Sequence, residues 1–326
     1  MDNYKRLIHL PSSYKVSGDL TFMLDLIKTL KEYKHTVIFD SAPGFTATEV
    51  VWILQSTGVD VLYAKSNLEL TSKIRTCPGT IIVYGSGGWD TLGKERAVIH
   101  YISNYTDLRR VNANSYIVPS ASLVKHIPIA SNIEVIPPGI NTRVLRDYIK
   151  TNELFTVGII STYDKYPSKL IEYMLKNISK DIAICATAPS GISSKDVIDK
   201  LKKQEKSDLI YRVPIRYTAS INYLSKCDIL IHAVEGKEEW YSRTVLEAMA
   251  LGRPVIIKTP NHFADLIEDK YIVKCNTYEA ILTAINMLKT DKVKYNELVD
   301  NSKIWASWQD ITLHIDKIRE VIDNAR

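Results

Sequence analysis

Glycine is sparse in this chain, at 13 of 326 residues, and cysteine sparser, at four. Cys77, Cys185, Cys227 and Cys275 stand far apart with no Cys-x-x-Cys pair, so they read as small buried hydrophobes rather than disulfides or zinc ligands. There is no Asp-x-Asp, no His-x-x-x-His and no clustered Cys/His spacing, which disfavours a metal-chelating aspartate pair and a zinc hydrolase. No Gly-x-Ser-x-Gly elbow occurs. The glycine run Gly85-Ser86-Gly87-Gly88 is not followed by Gly-Lys-Ser/Thr, so it is no Walker loop, and it is too short for a dinucleotide fingerprint. No stretch approaches the ~18 apolar residues of a membrane-spanning helix. The first ten residues hold no apolar signal segment and read as a first strand, so a cytoplasmic protein is expected, at most peripheral to a membrane. No internal repeat or low-complexity tract is present.

What is present is an ordinary globular mixture, 45% hydrophobic and 24% charged. The length suits two domains of about 150 residues each. Residues 1–150 carry 17 Lys/Arg against 13 Asp/Glu, a balance of +4 out of the chain's +5, which weakly favours an anionic acceptor or a membrane surface for the first half. Nucleic acid is a minor alternative, since no aromatic–basic motif accompanies the charge.

Short apolar runs alternate with amphipathic stretches, the pattern of a parallel sheet covered by helices. The first half predicts strands at 6–10, 36–40, 59–64, 80–84 and 115–118, with helices at 20–33, 46–55 and 68–75. The second predicts strands at 154–160, 181–186, 209–211, 229–232 and 254–257, with helices at 168–176, 194–203, 219–224, 243–250 and 278–288. Pro137-Pro138-Gly139 can continue neither a helix nor a central strand and marks the seam. We expect an N-terminal domain of residues 1–150, joined by a C-terminal helix at 307–326, and a second domain of 151–306.

Two acids, Glu239 and Glu247, stand eight positions apart. Ser242 can cap a helix whose apolar positions are Val245, Leu246, Met249 and Ala250, and Gly252 with Pro254 ends it before the apolar run Val255-Ile256-Ile257. Glu239 then lies in the loop before the helix and Glu247 within it. A strand, an acid-bearing loop and an acid-bearing helix form a ligand crevice at the carboxyl edge of a parallel sheet. The plainer reading pairs Glu247 with Arg243 as a surface i, i+4 ion pair and leaves Glu239 in a solvated loop.

The run from Glu239 to Val255 resembles the E-x7-E signature of retaining GT-B glycosyltransferases, the glycogen-synthase-like, family-4-like group. Leu246 to Val255 is similar to its LEAMAxGxPV consensus. The resemblance implies two Rossmann-like domains facing a cleft, and metal-independent transfer of a sugar from a nucleoside diphosphate, UDP or GDP, to an acceptor hydroxyl with retention. It implies no further cofactor. By that correspondence Glu247 accepts hydrogen bonds from the donor ribose, and Glu239 faces the sugar near the reacting carbon. Trp240-Tyr241-Ser242 replace the usual Gly-Phe-Gly, implying an altered sugar pocket with Trp240 stacked on the sugar, or lost activity.

Around Gly158 to Lys165 the chain is similar to the group's GRL…K segment, which makes Lys165 a phosphate ligand after Ser161. Ile159 occupies the place of the group's arginine, with Arg243 or Lys169 as candidate substitutes. Ser17-Gly18-Asp19 resembles the Gly-Gly loop whose amides face phosphate, although Asp19 also reads as a helix N-cap. His100 resembles a histidine placed near the sugar's 6-hydroxyl, and a satisfied histidine at a strand end is its plainer reading. His232 ends a strand, and His262 falls in the group's GGxPE region without its glycines. The segment 135–141 resembles the close of the group's first domain, and 305–322 its returning last helix. The alternatives are a nucleotide-sugar epimerase of the same fold and a catalytically silent nucleotide-binding protein. Donor base and sugar, acceptor identity and oligomeric state are not legible here.

Overall fold

The computed structural model describes residues 5–11, 18–40, 48–85, 97–103, 113–127, 132–145, 154–160, 167–187, 209–212, 217–234 and 240–325. They divide into two compact units, Met1–Asn141 with Asp310–Arg326, and Thr142–Gln309. The division falls at 141/142, where the sequence suggested 150/151, and the C-terminal return starts at Asp310 rather than 307.

The first unit holds β1 (Arg6–Pro11), α1 (Gly18–Thr29), β2 (Lys34–Phe39), α2 (Thr48–Ser56), β3 (Asp60–Tyr63), α3 (Asn67–Thr76), β4 (Thr80–Tyr84), β5 (Val98–Tyr101), β6 (Ser115–Val118), α4 (Ala121–Val124) and β7 (Ile133–Val135). Its seven strands lie in the order β3-β2-β1-β4-β5-β6-β7, every pair parallel. The reversal of strand order between β1 and β4 makes the carboxyl edge there a topological switch point. Leu7 to Leu10 are all 0% exposed, so β1 is buried on both faces, as a central parallel strand must be. Ile8, Leu10, Ile38, Ile81 and Val83 form one side of this core with Leu70 and Ile74 of α3.

The second unit holds α5 (Thr142–Leu145), β8 (Phe155–Ile160), α6 (Ser168–Asn177), β9 (Ile182–Thr187), β10 (Leu209–Arg212), α7 (Tyr217–Lys226), β11 (Ile229–His232), α8 (Arg243–Ala250), β12 (Val255–Lys258), α9 (His262–Asp265), β13 (Val273–Cys275), α10 (Tyr278–Thr290) and α11 (Lys292–Ser307). Its six parallel strands run β10-β9-β8-β11-β12-β13, with the switch point between β8 and β11. Strand β8 approaches β11 closely: a Cβ on Gly158 would lie 2.7 Å from Cys227 Sγ, so only glycine fits. The Asp228 carboxylate accepts a 2.6 Å hydrogen bond from the Thr156 amide and fixes the register at the same seam. The core here joins Val157, Ile159, Leu170, Ile171, Met174, Ile229 and Ile231 to Ile281, Ile285 and Leu288 of α10.

A 3-10 turn (Ile311–Leu313) and α12 (Ile315–Asn324) complete the first unit. The Ile311 amide donates to the Ile140 carbonyl at 3.0 Å, Arg319 pairs with Glu32 at 2.6 Å, and Lys5 with Asp323 at 2.7 Å. These exposed pairs fix position rather than add much stability.

Strands β7 and β13 and the long helix α11 are additions to the sequence reading, and the C-terminal helix expected at 307–326 is a 3-10 turn at Ile311–Leu313 followed by a helix at Ile315–Asn324. The helix expected at 194–203 lies outside the described residues. Among the described residues, no helix is long and apolar enough to cross a membrane.

Candidate functional site

The second unit builds its carboxyl edge from β11 and α8. Ile229 to Ile231 are 0–1% exposed, and His232, the last residue of β11, is 6% exposed. Val245, Leu246, Ala248 and Met249 bury the inner face of α8 completely. The opposite side is not left to solvent, because Arg243 is only 7% exposed and Glu247 8%. This overturns the reading of the two as a surface ion pair. Burying an ionised group costs several kcal/mol unless it is compensated, and both residues are engaged in interactions.

The ends of α8 show why the helix stops where it does. Ser242 occupies the N-cap with extended backbone but its side chain makes no capping hydrogen bond, which corrects the expected side-chain cap. Its carbonyl accepts instead from Leu246 N at 3.3 Å. At the other end Gly252 takes φ +67°, while its amide donates to Met249 O at 2.9 Å and the Arg253 amide to Ala248 O at 2.8 Å. That crossed pair is a Schellman closure, and it requires the left-handed conformation glycine adopts without strain.

Trp240 is 4% exposed and stacks on His262 with ring centroids 4.2 Å apart and planes 5° apart. The imidazole covers one indole face, so the ring is packed into the second unit rather than presented as a platform for a sugar. His262 opens α9, whose N-cap Asn261 accepts from the Ala264 amide at 3.0 Å. The Tyr241 ring lies 4.7 Å from Phe263 and its hydroxyl donates to Gln309 Oε1 at 2.8 Å. Burial pushes that phenol's pKa up, opposed by the Arg243 charge, so it stays a neutral donor. Ile159, at the place of the group's arginine, is 1% exposed inside β8 and belongs to the core. Lys169 is exposed on α6. Arg243 is thus the buried cation of this region.

The first unit arranges a different set of groups at its own switch point. Gly18 is the exposed first residue of α1, and its carbonyl accepts from the Thr21 hydroxyl at 2.9 Å. His100 is 1% exposed, and its Nε2–H donates to the Gly85 carbonyl at 2.9 Å. Burial brings the pKa of His100 down to about 4, partly opposed by that hydrogen bond, so the ring is neutral at pH 7. It holds the turn after β4, where Gly85 takes φ +72°. The structure therefore makes His100 a strut behind the edge.

Sequence reasoning did not find the neighbouring chain of rings. His35 Nε2–H donates to Leu30 O at 2.8 Å, which leaves His35 Nδ1 to accept from His9 Nε2–H at 2.9 Å. His9 Nδ1 then accepts from the Tyr84 hydroxyl at 2.8 Å. Burial lowers the pKa of both imidazoles, with the His35 charge acting further on His9, and raises that of Tyr84, with the Asp19 charge adding to it. Register explains the line: His35 lies opposite Leu7, His9 is two residues on, and Tyr84 lies opposite Pro11, two further. Side chains two apart share a face.

Glu239, Lys165 and Ser161 lie outside the described residues, as do Ser17 and Gly87. Of the proposed donor residues, the structure brings Trp240, Tyr241, Ser242, Arg243 and Glu247 together at one sheet edge, while Gly18 and His100 belong to the other unit.

Residues 145–305, just under half of the chain, match the family described as Glycosyl transferases group 1. No curated protein matches the sequence. Among solved structures the chain is similar to HepE of Anabaena in complex with UDP-glucose (TM-score 0.80, 16% identity, 98% of this chain and 100% of that one). It is similar also to a glycosyltransferase from Rickettsia africae (0.74, 15%, 99% of each chain) and to sucrose-phosphate synthase of Thermosynechococcus elongatus (0.73, 12%, 98% and 99%). The fold is that of the GT-B glycosyltransferases, two Rossmann-like parallel-sheet domains. The match to the group 1 glycosyltransferase model lies wholly within the second unit.

Proposed function

We propose that the chain transfers a sugar from a nucleoside-diphosphate donor to an acceptor hydroxyl, with retention of configuration and without a metal ion. One observation carries the reading. Arg243 and Glu247, one turn apart, are both buried on a helix at the carboxyl edge of the second sheet, inside the segment matching the transferase family. A carboxylate and a guanidinium kept there at desolvation cost suit the ribose and diphosphate of a donor. The UDP and UDP-glucose complexes of the HepE structures favour uridine as the base.

In this reading Glu247 accepts from the ribose hydroxyls, and Lys165, Ser161 and the α8 N-terminus behind Ser242 and Arg243 stabilise the leaving diphosphate. Glu239 orients the sugar. Trp240, braced by His262, and Tyr241, tied to Gln309, form the wall that replaces a glycine-rich loop. The first unit takes the acceptor, with Gly18 opening α1 and His100 positioning the β4 turn. The absence of an Asp-x-Asp pair from the sequence supports the metal-free mechanism. The site of action is the cytoplasm, at a membrane surface when the acceptor is a lipid.

Incubation with UDP-sugars and a panel of glycan, lipid and peptide acceptors, in the presence of chelator, tests this. Acceptor-dependent UDP release, with an α-linked product from an α-linked donor, is expected. Conversion of donor without acceptor, or UDP binding without any turnover, would overturn the transferase assignment in favour of an epimerase or a silent binder respectively.

A further inference from the structure

The first unit has a pocket at the edge opposite its switch point. About 730 Å³ in volume, it is lined by the segments joining α1 to β2 and α2 to β3, at the amino ends of those strands. Three ammonium groups face it, Lys28, Lys31 and Lys34, and none of its lining residues is acidic. Of the carboxylates close in sequence, Glu32 is held by Arg319 at 2.6 Å, while Asp60 pairs loosely with Lys34 at 3.7 Å, an exposed contact that offsets little of that charge. Among the described residues neither Lys28 nor Lys31 makes an ion pair. Complementing the negative end of a helix accounts for Lys28, which sits in the last turn of α1, but Lys31 and Lys34 lie beyond the helix. Three like charges around one concavity repel one another and attract a polyanion.

The neutral groups of the wall fit the same ligand. The Asn141 amide group can donate to an anion, whereas the Thr57 hydroxyl is spent on Leu54 O. His35 cannot ionise cheaply because it is buried and fixed between Leu30 O and His9, so it forms an uncharged floor. A phosphate monoester carries about two negative charges, so three lysines balance a diphosphate better than a single phosphate or a carboxylate. We infer that this pocket is a second, donor-independent binding site for a diphosphate-type anion, free or borne on a lipid headgroup, with Lys28, Lys31 and Lys34 as its ligands.

The test is calorimetric titration of the full chain with inorganic pyrophosphate near physiological salt. The protein is first saturated with UDP where UDP binds, so that phosphate ligands of the donor site are occupied. Sedimentation with phosphatidylcholine vesicles, with and without diacylglycerol pyrophosphate, runs in parallel. The variant Lys28→Gln/Lys31→Gln/Lys34→Gln is compared with a control triple of equal charge change, Lys176→Gln/Lys294→Gln/Lys303→Gln. Saturable pyrophosphate binding that weakens by about tenfold or more in the pocket triple alone supports a free anion. Sedimentation with diacylglycerol pyrophosphate vesicles, lost only in the pocket triple, supports a headgroup. Absence of both, or equal loss in the two triples, overturns the proposal. Unchanged thermal unfolding of each triple without ligand shows that folding is not what is being read.

Discussion

At its carboxyl edge the first unit buries neutral rings, whereas the second buries the charged Arg243 and Glu247, and the contrast separates architecture from chemistry. Tyr84, His9 and His35 are hydrogen-bonded in one direction, their protons assigned by the Leu30 carbonyl at the end of the line, and His100 donates separately to Gly85 O. Such a network ties β1, β2, β4 and β5 together without an ion. Arg243 and Glu247, at similar burial, keep ionisable ends of opposite sign on one helix face. A buried charge is poor value for stability, and the donor site proposed above rests on this pair. Buried carboxylates elsewhere serve structure: Asp228 accepts from the Thr156 amide across the β8–β11 seam, and Asp310 from the amide and hydroxyl of Thr312.

The widest separation between the units is expected from the acids. Glu239→Gln should lower turnover by about a hundredfold while donor affinity changes little, the behaviour of a group acting mainly on the transition state. Steady-state kinetics read this directly, and a rise in KM alone would move Glu239 out of that role.

His9→Leu should cost about 2–4 kcal/mol, because it strands the Tyr84 hydroxyl and His35 Nδ1 in the core. Denaturant unfolding measures it. A loss below about 1 kcal/mol, within reach of ordinary surface changes, would show that the network is slack.

Acid should loosen the first unit through the same rings. A histidine whose folded pKa lies below its unfolded value takes up a proton on unfolding, so stability is full above about pH 6.5 and is lost as pH falls. For His100, folded near 4, the loss approaches about 3 kcal/mol by pH 4. The variant His100→Gln can still donate to Gly85 but cannot titrate. Its unfolding free energy should therefore depend on pH by about one proton less between pH 6.5 and 4. An unaltered slope would contradict the assignment.

The smallest effect belongs to the helix end. Gly252→Ala should destabilise by about 1 kcal/mol, since φ +67° strains any residue with a Cβ, and the Lys303 side chain must also move aside. Thermal melting would show it as a shift of a few degrees at most.

Most of the sheet framework was legible because parallel strands buried on both faces are continuous apolar runs, as at Thr80–Tyr84 and Ile229–His232. The missed elements lacked that signal. Strand β7 is three residues long and ends beside two prolines. Helix α11 buries only Leu298, Ser302, Trp305 and Ala306 along 16 residues, with one polar side chain among them. Ser302 earns its burial by donating to Tyr271 O at 3.0 Å, a contact invisible in a hydrophobic pattern.

At the candidate site, the helix bearing Glu247 and its glycine stop could be placed from spacing alone. The Trp240–His262 stack and the His9–His35–Tyr84 line could not. Each joins residues distant in sequence, and only strand order brings them to one place.

The sharpest trial of the account is calorimetric titration of UDP into the wild-type chain and Glu247→Ala. The account predicts one saturable site, weakened in the variant by about ten- to a hundredfold, as expected for loss of charge-assisted hydrogen bonds. Equal affinity in both proteins, or no UDP binding by folded wild type, would contradict it.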